Sequence, residues 1–112
     1  MANSIRVIEP RGVFDSNQAE EFYQDVEQLA KGSVEMIIVD FKDVTFMDSS
    51  GLGILVKTLK LTQSFGVKLL LCSFNNQVKL LFELTSMDRV FEIYERREEL
   101  EAKIDPLSPT AP

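Results

Sequence analysis

The hydrophobic and polar positions of the chain switch repeatedly between strand-like and helix-like spacing. Short apolar runs that end in charged or turn residues predict strands, and apolar residues three or four positions apart predict amphipathic helices. The predicted strand segments are 5–9 with an extended continuation at 11–14, 36–41, 67–73 and 90–94. The predicted helices follow Asp15, the serine pair 49–50, the asparagine pair 75–76, and Tyr94. This β-α-β-α-β-α-β-α order indicates an α/β domain, with a small mixed, mainly parallel β-sheet of about four strands flanked by about four α-helices.

The segment 36–65 organises the rest of the chain. It opens with four consecutive apolar residues, a run typical of a strand that is buried on both faces. A short connector, 42–47, then leads to a small polar turn, and the apolar residues beyond that turn have helical spacing. We expect Ser49 or Ser50 to cap this helix, at a terminus whose free N–H groups also favour anions. One serine is enough for a cap, so the other is left free in solvent next to Asp48.

Asp15 is predicted to cap the first helix, with Gln18 as its reciprocal partner in a capping box. Apolar residues at helical spacing define the buried face of this helix: Ala19, Phe22, Tyr23, Val26, Leu29 and Ala30. The turns at Asp15 and Ser49 both connect a strand to a helix. Because functional groups gather at the carboxyl ends of strands in such sheets, we expect both turns to lie at one edge of the molecule.

Composition limits the partners and the compartment. The chain has 112 residues, which suits one domain with its own core, and its net charge of −6 argues against nucleic acid as a partner. No apolar run approaches the ~20 residues of a membrane helix, and no basic-then-apolar leader is present, so we expect a cytoplasmic protein without a membrane span. The single cysteine, Cys72, lies in an apolar run and is predicted to be a buried structural thiol.

The absence of histidine removes most hydrolase and metalloenzyme classes. No Ser-His-Asp or Cys-His pair can form, and one cysteine alone cannot build a zinc site. Gly51 and Gly53 lack the third glycine of a dinucleotide-binding loop, and no phosphate-binding loop is present. Asp40 is placed like the phosphoacceptor of a receiver domain, but Glu9-Pro10 stands where that fold needs two carboxylates. We therefore expect no catalytic residue, cofactor or metal, and expect Asp40 to bond nearby backbone.

Residues 46–53, Phe-Met-Asp-Ser-Ser-Gly-Leu-Gly, resemble the serine motif of the anti-sigma factor antagonists, the bacterial members of the STAS domain family. The resemblance extends over roughly residues 5–104. It includes Gly-Val-Phe-Asp before the first helix, which resembles a Gly-x-Leu-Asp turn of the family. Further segments that resemble family elements are 37–41, 68–72 and 78–84.

The resemblance implies a fold and a switch. The STAS domain would cover 1–105, with a disordered C-terminal tail at 106–112. Ser49 matches the serine that is phosphorylated by a partner kinase, which is itself the anti-sigma factor, and a PP2C-type phosphatase would restore the hydroxyl. Asp15, Asp48, Ser50 and Gly51 match positions around the kinase-facing surface. The unphosphorylated protein would bind the kinase, free a sigma factor and so control transcription.

Two departures leave alternatives open. Family members usually begin with an extra strand, but only four residues precede Ile5, and Pro10-Arg11 is unusual before Gly12. The edge near 5–8 is therefore expected either to be covered differently or to pair with another chain as a weak homo-oligomer. The family also contains non-switching STAS modules that serve as subunits or scaffolds in sensor, transporter or lipid-trafficking assemblies, where Ser49 would act only as a cap.

Overall fold

The structure is a computed structural model that describes residues 4–104. It contains six strands: β1 Ile5–Ile8, β2 Arg11–Phe14, β3 Met36–Asp40, β4 Asp43–Met47, β5 Lys68–Cys72 and β6 Glu92–Tyr94. It contains four α-helices: α1 Ser16–Ala30, α2 Ser49–Ser64, α3 Asn76–Leu84 and α4 Arg97–Ile104. A single 3₁₀ turn, Met87–Arg89, precedes β6. None of the helices within residues 4–104 is both long and apolar enough to cross a membrane.

The strands form two parallel sheets. The larger has the order β1-β3-β5-β6 and the smaller pairs β2 with β4, and each of these ladders is parallel. The predicted fold class is confirmed, but the predicted connector at 42–47 is wrong because most of it is strand β4. This strand pairs with β2 and buries Val44 and Met47 in the core, which stabilises a segment whose charged start resembles a loop.

The central strand β3 is buried on both faces, as its apolar run predicts. Ile37 and Val39 belong to the main core, which α1, α2 and α3 cover. Ile38 points the other way, into a smaller cluster with Leu70, Cys72 and Leu100 of α4. Cys72 is fully buried, and burial raises the pKa of its thiol, in agreement with its predicted structural role.

A charge cluster, formed by Glu9, Asp40, Lys42 and Arg97, connects α4 to the rest of the domain. One Glu9 carboxylate oxygen accepts from Lys42 Nζ at 2.9 Å and from Arg97 Nη1 at 2.8 Å. The buried carboxylate of Asp40 lies 3.7 Å from the Arg97 guanidinium. Asp40 also accepts from the Lys42 backbone N–H at 3.1 Å, which confirms its predicted bond to nearby backbone. Arg97 therefore joins α4 to Glu9, which follows β1, and to Asp40 at the end of β3.

The charge cluster should be strongest near neutral pH. The hydrogen bond from Lys42 lowers the pKa of Glu9, so this stabilisation is present above the pKa of Glu9 in the unfolded chain and is lost as pH falls through the lowered pKa. The same bond raises the pKa of Lys42, whose contribution is lost as pH rises through the raised pKa. The ion pairs are partly exposed, so salt should weaken them as well.

Arg97→Gln removes the ion pairs to Glu9 and Asp40, so α4 would be attached mainly by the packing of Leu100. We expect α4 to detach more often and a thiol reagent to label Cys72 severalfold faster. The matched control is Arg96→Gln. Arg96 is more exposed, and its only ion pair in the described part of the chain is the 3.8 Å contact to Glu99 on the same segment. Equal labelling rates for the two variants would contradict this role of Arg97.

The predicted sheet edge at the N-terminus is present. Strand β1 lies at one end of the larger sheet and pairs with β3. Its self-association stays a prediction. The predicted tail at 106–112 falls outside the described residues.

Candidate partner-binding site

Two helices begin side by side where the smaller sheet ends. Phe14 of β2 is in register with Met47 of β4, so Asp15 and Asp48 follow paired residues. The Asp15 carboxylate accepts from the Gln18 backbone N–H at 3.1 Å and caps α1, as predicted. The reciprocal bond from the Gln18 side chain, the other half of the predicted capping box, stays a prediction. The turns at Asp15 and Ser49 therefore share one edge, which confirms the prediction made from strand polarity.

Asp48, and not a serine, caps the helix that carries the serine pair. Its carboxylate accepts from the Gly51 backbone N–H at 2.8 Å, and its extended backbone leads directly into α2. The prediction that Ser49 or Ser50 supplies the cap is wrong, because the carboxylate of the preceding residue already reaches the free N–H group. Ser49 and Ser50 are the first two residues of the helix and both are exposed. Neither hydroxyl is needed as the cap.

Gly51 lets α2 approach strand β2. It is buried, and a Cβ atom at this position would overlap the carbonyl oxygen of Phe14 and lie 3.0 Å from the carbonyl carbon. Only a residue without a side chain fits between the first turn of α2 and the end of β2. The small size of Gly51 thus allows the serine turn to lie close to the Asp15 turn. The contact of Gly51 with a partner stays a prediction.

Helices α1 and α2 pack against each other beyond this edge. Lys57 of α2 lies over the ring of Tyr23 of α1, with Nζ 4.3 Å from the ring centroid. Since both helices start at the same edge, their positive dipole ends point to the same side of the molecule. A negative charge at Ser49 would be stabilised by the positive ends of the α1 and α2 dipoles and repelled by the carboxylates of Asp15 and Asp48.

The side chains of Gln77, in α3, and of Asn75, which caps α3, hydrogen-bond to the backbone of β4. The Gln77 amide accepts from the Met47 backbone N–H at 2.8 Å and donates to the Met47 carbonyl at 2.8 Å. Asn75 donates to the carbonyls of Val44 and Thr45, each at 3.2 Å, while its side-chain oxygen caps α3. Asn75 was predicted only as an alternative cap, and Gln77 carried no sequence signal because its contact spans 30 residues. These two amides fix the strand that ends at Asp48.

Gln77→Ala should destabilise the protein by ~1–3 kcal/mol, because a partly buried donor and acceptor of Met47 lose their partner. It should also slow any reaction at the serine turn, since the strand before Asp48 would lose its outer support. Gln63→Ala is the control, because Gln63 is exposed on α2. Urea unfolding of both variants measures the difference, and equal midpoints would show that the Gln77 bonds contribute nothing.

Two concave surfaces among the described residues lie away from the serine turn. One, of about 270 Å³, is lined by Phe74, Phe82 and Phe91 with charged residues at its rim. The other, of about 380 Å³, lies beside Asp40 and Arg97. The serine turn lines neither of these two surfaces.

The family model of the STAS domain matches residues 2–100 of the chain. The chain belongs to the STAS domain family. This confirms the resemblance carried by the serine motif and its flanking elements.

Curated relatives of this STAS domain include antagonists of anti-sigma factors. The anti-sigma F factor antagonist of Paenibacillus polymyxa is 30% identical over 69 residues, which are 62% of this chain and 59% of that protein. The matched part thus spans less than two thirds of that relative. The anti-sigma-B factor antagonist of Bacillus subtilis (strain 168) is 30% identical over 87 residues, which are 78% of this chain and 79% of the relative.

Solved structures share the fold. The anti-sigma factor antagonist SpoIIAA in its unphosphorylated form has a TM-score of 0.77 at 21% identity, covering 96% of this chain and 95% of that one. The STAS domain of the SulP transporter from Vibrio cholerae has a TM-score of 0.77 at 21% identity, covering 96% and 86%. At this identity the likeness shows the fold alone, so function depends on the serine turn and the closer relatives.

Proposed function

We propose that this STAS domain is an anti-sigma factor antagonist whose unphosphorylated form binds an anti-sigma factor that is also a serine kinase. The observation that carries the proposal is the position of Ser49, which is exposed as the first residue of α2, with the Asp15 turn beside it. The names of the curated relatives support the same partner class. In this scheme the protein is no enzyme, acts in the cytoplasm and controls transcription by freeing a sigma factor.

The serine turn has the geometry of a kinase substrate held on a rigid support. Ser49 is exposed, while the cap of α2 is supplied by Asp48. Gly51 and Gln77 hold the turn from both sides, so the hydroxyl is presented at a fixed place. A phosphate there carries a charge of about −1.5 to −2. The helix dipole would tolerate it, so the charge alters the surface while the fold stays intact.

The partner-binding surface consists of the two turns. Asp15 borders it as the cap of α1, and Asp48, Ser49 and Ser50 form its centre. A PP2C-type phosphatase would return Ser49 to its free hydroxyl, because a phosphate monoester hydrolyses extremely slowly in water without a catalyst. The same surface would then bind the kinase while Ser49 is unphosphorylated and lose this binding once Ser49 carries a phosphate.

The test is phosphorylation by purified anti-sigma factor kinases encoded in the source genome, tried one at a time with Mg·ATP. Intact mass should show one added phosphate, and peptide mapping should assign it to Ser49. Ser49→Ala should abolish the modification, while the neighbouring Ser50→Ala keeps it and stays as stable as the parent. A phosphate on Ser50 would overturn the residue assignment. Unmodified protein with every kinase would favour the non-switching STAS module.

A further inference from the structure

We infer that the outer face of the smaller sheet, formed by Val13 and Phe46, is an apolar anchor for the same kinase. We call this pair the anchor pair. The inference rests on the proposed function and adds the chemistry of the partner. The kinase would present an apolar side chain to the anchor pair, flanked by basic groups that face Asp15 and Asp48.

The anchor pair is a contiguous feature of the surface. Val13 and Phe46 are register partners in the β2–β4 ladder, and they are 47% and 46% exposed. Neighbouring strands lie about 4.8 Å apart, so the two side chains stand next to each other. Each lies two residues before the aspartate that caps its helix, about 7 Å along the strand. A partner that covers Ser49 therefore reaches the anchor pair without a second interface.

A β-bulge turns Phe46 outward. Gly12 pairs with Val44 and Val13 pairs with Phe46, so Thr45 is an extra residue in β4. In a regular strand, positions three apart face opposite sides, but Val44 and Met47 are both buried. The bulge shifts the alternation, which keeps both of them in the core and leaves Phe46 in solvent.

The bulge is itself supported. Asn75 donates to the carbonyl of Val44 and to that of the extra residue Thr45, and Gln77 bonds both backbone groups of Met47. The exposure of Phe46 is thus fixed by the side-chain amides of Gln77, in α3, and of Asn75, the cap of α3. Phe46 is a half-exposed aromatic side chain beside a second half-exposed apolar residue, and aromatic residues are enriched in protein interfaces.

Charge favours the kinase over a second copy of this chain as the partner at the anchor pair. The anchor pair is bordered by Asp15 and Asp48, and the whole chain carries a net charge of −6. Two copies that met face to face would bring these carboxylates together, and like charges across an interface cost several kcal/mol. A basic rim around an apolar side chain complements the same surface.

The experiment measures the affinity of the unphosphorylated protein for the kinase that modifies Ser49. Phe46→Ser should weaken binding about tenfold or more, as loss of a buried aromatic anchor does, and Val13→Ser should weaken it less. The Michaelis constant for phosphorylation should rise while kcat changes little, because Phe46 contributes binding and leaves the hydroxyl in place.

The chain provides matched controls. Phe65, which is 47% exposed, stands at the far end of α2, about 24 Å from Ser49 by the helix rise. Val90 is 48% exposed and follows the 3₁₀ turn. Phe65→Ser and Val90→Ser should bind as the parent does, and thermal unfolding should show all four variants folded.

The outcomes separate the inference from the function on which it rests. Normal phosphorylation of Ser49 with parent-like affinity for Phe46→Ser overturns the anchor pair and leaves the proposed function standing. Equal losses for Phe46→Ser and Phe65→Ser overturn it too, since they would reflect general loss of apolar surface. Self-association that Phe46→Ser abolishes would assign the face to a second copy. Failure of every kinase to bind the parent overturns both proposals.

Discussion

Gly51→Ala should destabilise the fold by about 3 kcal/mol or more, the upper range of overpacking effects. The added methyl group would overlap the backbone oxygen of Phe14 and come within 3.0 Å of its ring. Backbone atoms in a paired strand cannot rotate aside as a flexible side chain does. The first turn of α2 must move away from β2 or the strand must shift, and either change separates Ser49 from Asp15.

Gly53→Ala is the matched control in the same helix. Gly53 is exposed, and a Cβ atom there would meet nothing within 4 Å. Alanine favours helix over glycine by up to ~1 kcal/mol, so this variant should be more stable than the parent. Two identical substitutions, two positions apart, are thus expected to have opposite signs in urea unfolding. Similar midpoints for both would mean that α2 does not rest on Phe14 as described.

The elements that could be predicted from the sequence are those that local residue patterns determine. The apolar run at 36–39 needs no partner to indicate a doubly buried strand, and Asp15 precedes a clear amphipathic pattern. Strand β4 was not predicted because its β-bulge interrupts the alternation of buried and exposed residues. Thr45 and Phe46 are both exposed, which is typical of a connector. The pairing with β2 that makes it a strand is a tertiary contact that no local pattern reveals.

The candidate site divides in the same way. The serine motif and the two strand-to-helix turns could be located from neighbouring residues. The supports of the site could not, because Gln77 lies 30 residues from Met47. Arg97 and Glu9 are 88 positions apart. Even the cap of α2 was misassigned by one residue, since serine and aspartate are about equally good caps and only the geometry shows which oxygen reaches Gly51 N–H.

Ser49→Asp is expected to weaken kinase binding by about 2 kcal/mol or more, roughly thirtyfold, through like-charge repulsion and the cost of desolvating a carboxylate at the centre of the interface. The negative charge would stand next to Asp48 and near Asp15 on the surface that the partner must cover. Ser49 is at the first position of α2, where an acidic side chain meets the positive end of the helix. Stability should therefore be unchanged or rise by ~0.3–1 kcal/mol.

Ser49→Asn separates charge from shape. Asparagine has nearly the size of aspartate but is neutral, so it should retain most of the affinity that aspartate loses. The defect of Ser49→Asp should also shrink as salt is raised, because position 49 is exposed and Asp15 and Asp48 are only partly buried in the free protein. Equal losses for Asn and Asp would assign the effect to steric blocking. An affinity loss accompanied by a lower unfolding midpoint would instead mean that the switch acts by disturbing α2, against the electrostatic mechanism.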